Sequence, residues 1–115
     1  MDSKLRDEVF RLHAQVCGGL ADPNRILILY KLGEQPHNVS DLAAALDLPQ
    51  PTVSRHLKVL RERAMVTAER QGPSVVYSLA DERITQALDL LRAFLAESLE
   101  SQSALVDIVN EGLDS

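Results

Sequence analysis

The stretch SDLAAALDLPQPTVSRHLKVLR, residues 40–61, decides the fold. Ser40 followed by DLAAALDL reads as a capped short helix. Leu48-Pro49 breaks it, because the residue before a proline is pushed out of the helical region. A second helix restarts at once with Pro51 in its first turn, where a missing N–H is tolerated. Val53, Leu57 and Leu60 share one face of that second helix. At 100° per residue, Pro51, Arg55, Lys58 and Glu62 lie about opposite, with Thr52 and Ser54 at the flanks. Two short helices joined by a tight turn, the second apolar inside and basic outside, form a helix-turn-helix pattern.

Downstream the periodicity changes. MVTAER, then QGPS, then VVYSL puts β-branched and aromatic residues on both sides of a Gly-containing turn, which predicts a β-hairpin. From Asp81 the helical period returns through Ile84, Leu88, Leu91, Leu95 and Leu99, widened by Ala87 and Phe94. This stripe exceeds what one small domain can cover, so part of it is expected to face a second subunit. SALVDIVNEGLDS reads as a short further helix or a fraying extension. Upstream, Leu5, Val9, Leu12 and Val16 mark a first helix expected to stop at Gly18-Gly19. Asp22-Pro23 supplies an N-cap and a proline for a second helix running through ILILYKL to Gly33. The expected architecture is mainly α with a small β-hairpin: four helices, two strands and a fifth helix. Residues 1–115 then make one winged helix-turn-helix domain with a dimerisation helix at each end.

Composition agrees with that fold. Hydrophobic residues are 45% of the chain and aromatics 3%, so the core must be Leu, Val, Ile and Ala. No segment approaches the roughly 18 apolar residues of a membrane span. The N-terminus carries acids where a signal peptide would be apolar, which points to the cytoplasm. Cys17 is the single cysteine, so neither an internal disulfide nor a Cys-rich zinc motif is available. Net charge is −5, which by itself repels a polyanion. Between Gln50 and Ser74, however, Arg55, Lys58, Arg61, Arg63 and Arg70 face only Glu62 and Glu69. That window is net +3 and the remainder −8.

Those charges suggest double-stranded DNA as the partner. Hydroxyls and an arginine near the start of the basic helix suit base edges in a major groove, and Gln50 can pair with adenine or bond a phosphate. The helix N-terminus offers backbone N–H groups to a phosphate. Lys58, Arg61 and Arg63, further along, are expected to neutralise backbone charge. Arg70 near the hairpin tip would reach neighbouring phosphates or the minor groove. His56 lies beside the buried stripe, and both a bond within the domain and a DNA contact are open to it.

LADPNRILILYKL, then VSDLAAALDLPQPTVSRHLKVLRERAMV, then AERQGPSVVYSL resembles the ArsR/SmtB family of dimeric bacterial transcriptional repressors. The ADP-x-R opening, the V-S-x-H-L recognition helix and the R-x-G-x-x-V-x-Y-x-L wing occur in family order from about Leu20 to Leu79. The resemblance implies a homodimer through the first and last helices, with each recognition helix in one half of an imperfect palindrome. It implies a recognition region at Gln50, Thr52, Ser54, Arg55 and His56, and a wing at Arg70 and Gly72.

The family's metal sites do not carry over. Where the arsenic-type site has Cys-Val-Cys this chain has Asn38-Val39-Ser40, which lacks thiolates. The related zinc or cadmium site would keep only Asp41. The last-helix zinc site would fall on Asp81, Arg83, Phe94 and Glu97, where arginine and phenylalanine cannot replace imidazole. One constellation stays open. His13 and Cys17 share a face of the first helix, and His37 and Asp41 would share one if the third helix started early. Together across a dimer they would make an N/S/O metal site. A Cys17 disulfide to its symmetry mate would instead give redox control. A repressor with no cofactor, answering to an unknown effector or to none, is the leading reading, and a winged-helix protein-interaction module is its rival. No phosphate loop, catalytic triad or carboxylate pair indicates an enzyme.

Overall fold

The computed structural model describes the backbone of residues 1–114 and the side chains of residues 1–102. Helix α1, Ser3–Leu12, starts at Asp2, whose carboxylate accepts from the Lys4 N–H at 3.1 Å. It does not stop at Gly18-Gly19, as the sequence suggests. The helix passes through a π turn, His13–Cys17, and a last α turn, Gly18–Leu20, before ending at Ala21. The glycines serve packing instead. A Cβ at Gly18 would lie 2.6 Å from Arg63 Nη1, and one at Gly19 would lie 2.6 Å from Met65 Sδ.

Helix α2, Pro23–Glu34, begins as its sequence dictates. Asp22 Oδ1 accepts from the N–H groups of Asn24 at 2.8 Å and Arg25 at 3.4 Å, and Pro23 takes the first helical position. Helix α3, Val39–Leu46, is capped by Asn38, whose Oδ1 accepts from the Asp41 N–H at 2.8 Å, rather than by Ser40. Helix α4, Gln50–Glu62, follows after Asp47, which holds a left-handed φ of 53°. Both helices end in the same reciprocal pattern. Leu48 N–H reaches Ala43 O at 3.0 Å, and Met65 N–H reaches Leu60 O at 2.9 Å past Ala64 at φ 58°. These six-to-one bonds close helix ends that would otherwise leave carbonyls unpaired.

Strands β1, Val66–Gln71, and β2, Ser74–Leu79, pair antiparallel from Val66 opposite Leu79 to Gln71 opposite Ser74. The two-residue connection puts Gly72 at φ 62° ahead of Pro73, the sign pattern of a hairpin turn matched to strand twist. The other edge of β2 is bridged once: His37 N–H donates to Tyr77 O at 3.1 Å, and Tyr77 N–H donates to His37 O at 2.8 Å.

By its internal contacts the chain falls into two units, Met1–Ile84 and Thr85–Ser115. In the first, Ile28, Leu29, Leu42, Val53, Leu57 and Leu60 are fully buried, with Met65 and Val66 beside them. Each large aliphatic contributes about 1.5–3 kcal/mol on burial. No buried polar or charged residue occurs among the described residues. The second unit is the greater part of helix α5, Arg83–Asp114, and Leu90, Leu91, Phe94, Leu95 and Leu99 along it are exposed. The tail expected as a short further helix or a fraying extension continues α5 without a break to Asp114.

Asp81 precedes α5 and accepts from the Arg83 N–H at 2.8 Å. The Arg83 guanidinium adds bonds of 3.0 Å to Oδ1 and 2.7 Å to Oδ2. The guanidinium bonds, with the backbone N–H, hold the Asp81 carboxyl down at about 2. A carboxyl depressed in the folded state adds stability above its ordinary value near 4, and that stability is lost as pH falls toward 2. Urea midpoints of wild type and Asp81→Asn should therefore differ at about pH 5 and converge toward pH 2. A gap that does not depend on pH would show that this carboxylate is not linked to folding.

Candidate nucleic-acid interface

Helix α4 has two sharply different sides. Val53, Leu57 and Leu60 seat it in the core, while Gln50, Pro51, Ser54, Arg55, Lys58, Arg61 and Glu62 are exposed and Thr52 is half-buried. Arg55 Nη2 donates to Thr52 Oγ1 at 3.3 Å, which draws the guanidinium back toward the start of the helix. That start is a weaker phosphate cradle than the sequence suggests. Pro51 has no N–H, and the N–H groups of Thr52 and Val53 already bond Pro49 O at 3.1 and 3.2 Å. Side chains must therefore do most of what α4 offers to a ligand.

The wing stands beside this helix. Arg70 lies opposite Val75 and is exposed, as are Gln71, Gly72 and Pro73 at the tip. Between α4 and β2 runs an open groove of about 490 Å³ lined by Ser54, Leu57, Lys58, Arg61, Glu62 and Tyr77. Tyr77 is part of the wing motif, but the sequence assigns it no role at the interface. The aromatic in VVYSL was the available signal, but strand alternation cannot tell which helix a hairpin residue will face.

His56 and Arg63 turn away from the exposed face. His56 Nε2 lies 3.9 Å from Asp22 Oδ1, and its Nδ1 is 3.4 Å from Arg25 Nη1. A guanidinium can only donate, so the geometry calls for Nδ1 as acceptor and the imidazole proton on Nε2, toward Asp22. Desolvation pushes the Asp22 carboxyl up. The backbone bonds from Asn24 and Arg25, with the neighbouring His56 ring and the Arg25 guanidinium, outweigh it and hold the group below its ordinary value. Arg63, expected to meet phosphate, instead bonds the carbonyls of Ala14 and Gln15, the latter at 3.4 Å.

The alternative sensing residues do not converge within the chain. His13 and Cys17 sit in the π turn, both exposed. His37 is held by its backbone to Tyr77, and α3 starts only at Val39, so His37 and Asp41 do not share a helical face. No cluster of three potential metal ligands occurs among the described residues. At the last-helix zinc position the Asp81 carboxylate is taken up by Arg83, and the residues present do not fit that metal. No helix among the described residues is long and apolar enough to cross a membrane.

Known proteins share this arrangement. A family model described as bacterial regulatory protein, arsR family, matches residues 22–68. The HTH-type transcriptional repressor SmtB of Mycobacterium tuberculosis is 42% identical over 77 residues, 67% of this chain and 57% of that protein. The chain thus spans less than two thirds of that relative's length. The uncharacterized HTH-type transcriptional regulator Rv0081 of the same organism is 32% identical over 107 residues, 92% of this chain and 94% of the relative. Its crystal structure superimposes with a TM-score of 0.73 at 34% identity, covering 82% of this chain and 95% of that one. The homodimeric winged helix-turn-helix domain of Mb0332 from Mycobacterium bovis, described as a possible ArsR-family regulator, gives 0.74 at 26% identity, covering 88% and 93%. With the motifs in order, the winged helix-turn-helix built and a relative matched over nearly its whole length, the chain belongs to the arsR family of bacterial regulatory proteins.

Proposed function

We propose that the protein is a DNA-binding transcriptional repressor that grips an imperfect palindrome as a homodimer in the cytoplasm. The observation that carries this reading is the exposed row Gln50, Ser54, Arg55, Lys58 and Arg61 on a helix whose opposite side is wholly buried. Gln50, Thr52, Ser54 and Arg55 read base edges, while Lys58, Arg61 and Arg70 meet phosphates. Gly72 lets the wing tip approach the duplex, and Tyr77 lines the groove through which one strand's backbone would pass. His56 serves by orienting α4 rather than by touching DNA. The apolar faces of α1 (Leu5, Val9, Phe10, Leu12) and α5 suit a second copy. The homodimeric Mb0332 domain and the SmtB repressor support dimerisation and repression. The regulatory role involves no catalysis, and the family's thiolate and imidazole metal ligands are replaced here.

The test is titration of purified protein against duplexes selected from a randomised pool, at several salt concentrations. Binding should be two protomers per palindrome and should weaken with a log–log salt slope of about −0.9 for each phosphate neutralised. Selection of no preferred sequence, with a flat salt response, would favour the protein-interaction module. Release by zinc, cadmium or oxidant would bring His13, Cys17, His37 and Asp41 back as the sensing set.

A further inference from the structure

We propose that Arg63 and Arg25 form a clasp that hangs the DNA-reading helix on the end of α1, making both positioning residues for operator spacing. This rests on α4 being the DNA-reading helix. At the far end of α4, Arg63 Nη1 donates to Ala14 O and Gln15 O, and Gln15 Nε2 returns a 3.0 Å bond to Arg63 O. Near the middle of α4, His56 contacts Arg25 Nη1, while Arg25 Nε donates to Gly19 O at 2.8 Å and Nη2 to Gly18 O at 3.3 Å. Four carbonyls from the last turns of one helix are therefore held by two guanidinium groups, one from α2 and one from the end of α4.

The local sequence is shaped for this. The π turn widens the helix where Arg63 reaches its carbonyls. Gly18 and Gly19 leave the room that the Arg63 guanidinium and the Met65 side chain occupy. Neither glycine is there for its backbone, since Gly18 has an ordinary helical φ of −60° and Gly19 has no positive φ. The opposite end of α1 carries an exposed apolar face, so the clasp fixes the angle between a dimer-facing helix and a DNA-facing one. In a two-fold dimer that angle sets the distance between the two reading helices, and with it the half-site spacing.

Two variants separate positioning from contact. Arg63→Met removes the donors while keeping the stem. Gly18→Ala keeps every charge and improves helix propensity, but its methyl displaces the guanidinium. Operator binding is measured for wild type, both single variants and the double variant, across salt, on palindromes with native spacing and with one base pair inserted. Each single variant should lose about three- to tenfold in affinity for the native spacing. Each should discriminate less against the inserted base pair, with an unchanged salt slope and an unchanged fraction folded by circular dichroism. In the double variant, Gly18→Ala should add little to Arg63→Met.

A salt slope that drops by about 0.9 per phosphate for Arg63→Met alone, with Gly18→Ala silent, makes Arg63 a phosphate contact and overturns the clasp. Unchanged spacing preference, or affinity lost only in proportion to folded protein, overturns it as well. Wild-type protein that selects no operator removes the proposed function and this inference with it. Wild-type binding with indifferent variants removes the inference alone.

Discussion

Leu57→Ala is expected to lower the free energy of unfolding by about 2–5 kcal/mol, read as a drop in urea midpoint at unchanged slope. Leu57 is fully buried with Val53 and Leu60 on the inner face of α4, in the same core that takes in Leu42 of α3 and the Met65 that follows the helix. Truncating it removes transfer energy and leaves a cavity that a core of branched aliphatics cannot easily fill. Operator affinity should fall too, since the same side chain seats the helix that presents Arg55. A loss below about 1 kcal/mol would mean that the neighbours collapse into the gap, and that α4 is held mainly by its ends.

Arg55→Ala should behave in the opposite way, leaving stability within about 0.5 kcal/mol and weakening operator binding by about 1–3 kcal/mol, roughly 5- to 150-fold. Arg55 is exposed, and among the described residues its side chain bonds only Thr52 Oγ1, at 3.3 Å, so the fold owes it little. If it reads a base, its loss should relax preference at one position of each half-site. A uniform loss across operator variants would assign it to phosphate instead, and unchanged affinity would take it off the recognition surface. Ser54→Ala, one residue earlier on the same exposed side, supplies the comparison for a neutral reader.

Much of this was legible because the two structural periods are hard to imitate. The spacing of Val53, Leu57 and Leu60, the Asp22-Pro23 start of α2 and the two apolar runs around Gly72 each encode an element locally, and each formed where expected. The misreadings share a different cause. Gly18-Gly19 looks like a helix stop until Arg63 and Met65, more than forty residues away, are found filling the space. Ser40 and Asn38 are both competent caps. The choice fell to Asn38 because His37 is tied to Tyr77 in an extended pairing, and this also separates His37 from the helical face of Asp41. Charge counting placed Arg63 with the cations meant for DNA, but a sum of charges carries no direction. For His56 the sequence leaves a bond within the domain and a DNA contact both open, because its contacts with Asp22 and Arg25 depend on how α2 crosses α4.

The single bridge between His37 and Tyr77 also bears on how these proteins behave when crowded. A two-stranded ribbon has two open edges, and each can recruit a strand from a neighbouring molecule. Here His37 occupies the middle of the β2 edge, no strand among the described residues pairs with the outer edge of β1, and β1 carries Glu69 and Arg70 among exposed polar residues. A template interrupted on one side and charged on the other is poorly suited to sheet-to-sheet aggregation. On the proposed function, wings brought together on adjacent operators would therefore not seed a shared β-sheet.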